Sequence, residues 1–211
     1  MAHETTNKTI TGADADNGGA AGLAALISRA ASTERGLPPV ERWNPPFCGD
    51  LDMEIRADGT WYYLGTPIGR ERLVRLFSTV LRRDEDGKTY LVTPVEKVGI
   101  RVEDAPFLAV EMSATERGGV QTLTFRTNVG DVVEAGPDRP LRFDVAGDHD
   151  SLKPYLHVRG RLEALVSRPL MYDLVELGER LDIDGEEMFV LRSGGSVFPI
   201  MPAARLDALA Q

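Results

Sequence analysis

The chain has 211 residues, 42% apolar content and a formal net charge of -9, enough apolar material for a packed core in one or two domains. The acidic balance argues against a binder of DNA or RNA backbone, which needs collected Lys and Arg. A single cysteine, Cys48, excludes an internal disulfide and a cysteine-based metal site, and points to a reducing compartment, the cytoplasm.

Residues 1–19 hold Asp, Asn, Thr and Gly without an apolar run, so they are expected to be a disordered tail and neither a signal peptide nor an anchor. Ala20 to Ala31 reads as a docking helix with Leu23, Leu26 and Ile27 on one side, too short and too polar at Arg29 to span a membrane. From Gly36 to Phe47 the prolines make an extended, helix-free connector, pinned to the body by Trp43 and Phe47. Asp52 to Leu64 alternates around Asp58-Gly59, a tight hairpin signal. Trp61 to Leu64 is a strand ended by Gly65-Thr66-Pro67. Leu73, Val74, Leu76, Phe77, Val80 and Leu81 then repeat at the helical period, so a helix is expected to run to Arg83, with Arg72, Arg75 and Arg82 on its solvated face.

Asp84, Asp86 and Gly87 turn the chain into a strand from Tyr90 to Thr93, broken at Pro94 and resumed through Val98 to Val102. Phe107 to Met112, Val120 to Arg126 and Leu141 to Val145 read as an antiparallel meander, followed by strands over Tyr155 to Val158 and Arg161 to Val166. A second helix is expected from Pro169 through Leu177, then an acidic turn at Asp182, Asp184 and Gly185, then strands over Met188 to Leu191 and Val197 to Ile200. An Ala- and Leu-rich tail closes the chain.

A shift of 98 residues lays Asp86-Gly87 on Asp184-Gly185 and also aligns Arg70 with Arg168, Leu76 with Leu174, Arg82 with Arg180, Asp84 with Asp182 and Val92 with Val190. The spacing predicts two copies of one helix-turn-strand unit. Residues 1–19 are thus a tail, 20–48 the helix and Pro-rich connector, 49–105 a first domain, 106–202 a second and 203–211 a C-terminal tail.

No hydrolase elbow, Walker loop, dinucleotide fingerprint or His-Glu zinc motif is present, which leans away from an enzyme. His3, His149 and His157 lack metal-ligand spacing, and His157 reads as a structural residue. Cys48 reads as a plain buried thiol, since no His-Asn pair is evident to activate it. Glu96 and Lys97 follow the proline break at Pro94, Arg126 and Asn128 end a strand before Gly130, and Arg159 with Arg161 flanks Gly160. These groups could form a cationic cradle suited to phosphate or carboxylate. Solvated surface charges are the competing account.

At Asp58-Gly59-Thr60-Trp61, Leu91-Val92-Thr93-Pro94-Val95-Glu96-Lys97 and Glu103-Asp104-Ala105-Pro106-Phe107 the sequence resembles a bacterial domain of unknown function family, numbered twelve eighty-five. The resemblance runs from about Leu37 to Pro202. It implies an α+β chain of two domains built from a duplicated strand-helix-strand core, the second loosely like a pleckstrin-homology fold, with a site between them. It also implies a nucleotide-like or phosphorylated ligand and a role in signal transduction with a protein partner. The expected ligand-binding set is Trp61, Thr66, Glu96, Lys97, Asp104, Arg126, Asn128 and Arg159, with no metal and no cofactor. Two alternatives stay open: an enzyme using Glu96 or Asp104 as base, and an adaptor that binds no small molecule.

Overall fold

The computed structural model describes Gly22, Ala25, Ile27 and residues 36–146 and 151–209. The expected tail over 1–19, His3 and His149 lie outside the described residues. Of the expected docking helix only Gly22, Ala25 and Ile27 are described; all three are helical, and Ile27 is fully buried.

The first half builds one sheet. β1 (Phe47–Ile55) runs antiparallel to β2 (Trp61–Tyr63) around Asp58-Gly59, with Ile55 opposite Trp61, and β3 (Thr66–Pro67) forms the edge. Asp58 Oδ1 accepts from the Thr60 amide at 2.9 Å, and Gly59 takes a φ of 79°, which glycine adopts without strain. Helix α1 (Glu71–Thr79) follows, then β4 (Leu81–Arg83), β5 (Thr89–Val92) and β6 (Lys97–Val102). The order across the sheet is β3-β2-β1-β6-β5-β4, and β1 and β6 are parallel.

The second half holds two sheets. The six-stranded one has the order β10-β11-β12-β7-β8-β9, from β7 (Phe107–Arg117), β8 (Val120–Thr127), β9 (Val132–Glu134), β10 (Leu141–Ala146), β11 (Ser151–Arg159) and β12 (Leu162–Val166). Helix α2 (Arg168–Glu176) leads to the three-stranded sheet β13 (Glu179–Ile183), β14 (Glu186–Ser193) and β15 (Ser196–Pro202), and α3 (Ala203–Leu209) packs on β14 and β15. The architecture is mostly β with few helices, in two domains, and includes a sheet curled into a half-barrel. Buried apolar side chains from both halves form one contiguous core, in which Trp61 stacks on Phe77 at 6.2 Å and 21°.

Several expectations are corrected. The helix read through Arg83 ends at Thr79, where the Ser78 and Thr79 hydroxyls donate to the Arg75 and Leu76 carbonyls. These local bonds compete with the next helical turn, and β-branched Thr79 and Val80 favour the extended chain that follows. Arg82 therefore lies on a strand, 8% exposed, instead of on a solvated helix face. The run from Phe107 to Val145 is not one meander: β7, β8 and β9 are, but β7's other neighbour is β12, in parallel. The connector is not free of helix, since Val40–Arg42 makes a single 3-10 turn, and the Ala- and Leu-rich end is helix α3. Cys48 is an exposed thiol on β1, not a buried one.

Candidate functional site

The expected ligand-binding residues are spread over several environments. Lys97 opens β6, and its Nζ lies 2.9 Å from Asp84 Oδ2 and 4.4 Å from the centre of the Tyr90 ring. Asp84 also accepts from Arg82 at 2.6 and 3.2 Å, while Arg82 donates to the Val40 and Trp43 carbonyls at 2.8 and 2.7 Å. Burial pushes the Asp84 carboxyl up, but the bonds from Arg82 and Lys97 outweigh it and hold the pKa below the ordinary aspartate value. This cluster ties the connector to the first sheet. Glu96 closes the turn at Pro94, its backbone carbonyl accepting from the Thr93 amide at 2.9 Å. Thr66 is exposed on the edge strand β3.

Asn128 and Arg159 stand where the two halves meet. Asn128 Oδ1 accepts from the Leu108 amide at 3.1 Å, and Nδ2 donates to the Gly59 carbonyl at 3.3 Å. Arg159 donates to Asp131 at 2.6 Å and to the Ser78 carbonyl, the end of α1, at 2.8 Å. Arg161 reaches Glu85 at 2.9 Å. Asp104, in the segment joining the halves, accepts from Lys153 Nζ and from the Tyr155 hydroxyl, both at 2.7 Å. Burial raises the Asp104 pKa, and these two bonds more than reverse it, so the carboxyl stays below its ordinary value. Arg126 sits apart on β8, exposed, its Nε 2.6 Å from Glu111 Oε2. The structure brings Trp61 and Asn128 to one recess of about 150 Å³, edged by Glu71 and Arg75. The indole Nε1 of Trp61 is buried with no hydrogen-bond partner among the described residues.

A larger cavity, about 530 Å³, lies in the second half. One wall is Pro154 of β11 with Leu165 and Val166 of β12; helix α2 contributes Met171 and Val175; the buried Phe189, Ile200 and Met201 form the floor. The side chains at its mouth are Arg168 and Tyr172, both exposed, with Lys153 beside them. The local sequence sets this shape. Pro169 fits the first turn of α2, and only Leu174 of the helix is buried; Met171 and Val175 are half-buried and line the cavity, Val175 also packing against the core. Gly178, just past the helix, leaves room for the Phe189 ring, which a Cβ there would overlap.

Two family models match the chain, one described as "Domain of unknown function (DUF1285), N-terminal domain" over residues 38–105 and one as "Protein of unknown function (DUF1285), C-terminal domain" over residues 106–200. The chain belongs to the DUF1285 family. A crystal structure of a DUF1285 family protein from Silicibacter pomeroyi DSS-3 is 49% identical, covers 86% of this chain and 97% of its own, and superposes with a TM-score of 0.76. A DUF1285 family protein from Shewanella baltica OS155 is 29% identical over 59% of this chain and 90% of its own, with a TM-score of 0.47. No curated protein matches.

In this DUF1285 chain the cavity is what reading the sequence missed. Its lining residues carry no motif: a Leu, Val or Met beside empty space has the same pattern as one in the core. The only signal available was Arg168, a cation immediately before the helix proline. Among the described residues no three His, Cys, Asp or Glu side chains gather to hold a metal, and no helix is long and apolar enough to cross a membrane.

Proposed function

We propose that the chain is a soluble ligand-binding module with a sensory role, holding a small molecule in the cavity between α2, β12 and the three-stranded sheet. One observation carries this reading: the cavity measures about 530 Å³, within the range of roughly 300–1,000 Å³ typical of ligand pockets, and its lining is mostly apolar with a few polar side chains, Lys153, Arg168 and Tyr172. The version with a phosphate cradle between the domains has weaker support, because Lys97, Arg126 and Arg159 each already hold a carboxylate. A base role for Asp104 is also weakly supported, since a carboxylate held ionised by Lys153 and Tyr155 takes up a proton poorly.

The duplication reading belongs to this proposal. In its support, each half has a helix followed by three antiparallel strands, with Asp86-Gly87 and Asp184-Gly185 both in the first hairpin turn. The two hairpins differ by one in register: Arg83 faces Thr89, whereas Leu181 faces Met188. A helix against a six-stranded sheet supports a pleckstrin-homology likeness for the second domain, and the parallel β12-β7 pairing counts against it. Thermal-shift screening of the full chain tests the function. A ligand at a hundredfold its Kd adds about 2.7 kcal/mol, or roughly 5 to 10 °C in Tm for a chain of this size. If no compound of a broad metabolite library raises Tm, the module reading fails and the adaptor is preferred.

A further inference from the structure

We propose that the cavity selects an amphiphile with one anionic head group, of which a medium-chain carboxylate is the simplest member; this rests on the reading of the cavity as the ligand site. The interior offers Phe189, Ile200, Met201 and Val166, all at most 7% exposed, and hardly any hydrogen-bonding group. It suits a hydrocarbon chain better than a heterocycle, whose polar edges would be left without partners there. The charged groups are at the mouth. Of the two cations there, Lys153 is held by Asp104 at 2.7 Å, whereas Arg168 has the Tyr172 hydroxyl at 3.4 Å and no carboxylate among the described residues.

Charge points the same way. The chain carries a net charge of -9, yet among the described residues no Asp or Glu lines this cavity, while two cations do. A local reversal of sign over an apolar pocket favours an anion at the rim and disfavours a cation of equal length. A planar guanidinium with an adjacent phenol can bond both oxygens of a carboxylate. One unpaired cation matches a singly charged head and falls short of a di- or triphosphate.

The test titrates the full chain with decanoate, decanol and decyltrimethylammonium, each below its micelle concentration, by calorimetry and thermal shift. Decanoate is expected to bind most tightly, decanol more weakly and the ammonium not at all. Arg168→Gln alters an exposed side chain; it should bring decanoate down to the level of decanol while leaving decanol unchanged. Met171→Trp, or Val175→Phe if the first misfolds, should fill the cavity and abolish both. If decanoate and decanol bind equally and ignore Arg168→Gln, anion selection is overturned and the cavity reading survives. Loss of all three from the unmodified chain, or binding that persists in a folded cavity-filled variant, overturns both. A dimer in sedimentation that Met171→Trp dissociates puts a second copy on this face and also overturns the proposal.

Discussion

Replacing Arg82 by methionine separates the two accounts of this residue, because a solvated helix face and a buried strand position respond very differently. In the structure its guanidinium serves both oxygens of Asp84 and the carbonyls of Val40 and Trp43, and only 8% of the residue is exposed. Arg82→Met keeps most of the volume and removes every donor. Breaking a buried ion pair from one side costs about 3–5 kcal/mol. Asp84 is 21% exposed and keeps Lys97, which lowers that figure, while the two abandoned carbonyls raise it. A loss of about 3 kcal/mol is expected, seen in urea as a lower midpoint at unchanged slope and in heating as a fall of about 6 to 12 °C. Arg82→Lys should lose about half as much, since one ammonium cannot span all the acceptors. The pair also has a pH signature. The Asp84 pKa is lowered from 3.8 on folding, so its contribution is present above that value and lost as pH falls through the lower folded value. The acid limb should therefore be shallower in Arg82→Met. A loss below about 1 kcal/mol, within the range of surface substitutions, would refute the buried-strand account.

Asp104, Lys153 and Tyr155 should act as a second pH-sensitive unit. The Asp104 pKa lies below 3.8, while Lys153 is raised from 10.5 and Tyr155 from 10.0; stability should fall in acid below the carboxylate range and again in alkali above the phenol range, and Asp104→Asn should flatten both limbs in pH-dependent urea unfolding. Gly178→Ala should cost about 1–3 kcal/mol by overpacking against Phe189 and, by pushing that ring into the cavity, weaken any cavity ligand; an unchanged urea midpoint would show that the ring has free room. Arg159→Met removes the bonds to Asp131 and to the Ser78 carbonyl at the end of α1. It should loosen the joint between the halves, read as faster amide exchange around Ser78 and Asp131 with little change in the strands of the first sheet.

Local signals were legible wherever they act over a few residues. Asp58-Gly59 fixes a hairpin because glycine adopts the positive φ of the turn, Pro169 marks a helix start, and alternating apolar residues mark most strands. Pattern reading failed where distant partners decide. Leu81 and Arg82 continue the helical period of Leu73 to Phe77, and only their pairing with Leu91 and Tyr90 makes them a strand. The parallel pairs β1-β6 and β12-β7 join segments separated by whole hairpins, which no period records. The expected cradle also turns on distant partners: Arg126 and Arg159 have the right chemistry, and Glu111 and Asp131 are bonded to them.

Among the described residues the first sheet takes all its strands from the chain up to and including Val102, and the second half adds none to it. A ribosome therefore releases a complete set of pairing partners for that sheet while the cavity's floor, beyond residue 186, has yet to be made. Its longest closure, bringing β6 beside β1, spans only β2, β3, α1, β4 and β5. The second sheet must instead wait for β12 before β7 finds its parallel neighbour. On a nascent chain the N-terminal half is thus free to fold first and to present Gly59 and the end of α1 as a finished surface, onto which Asn128 and Arg159 dock later.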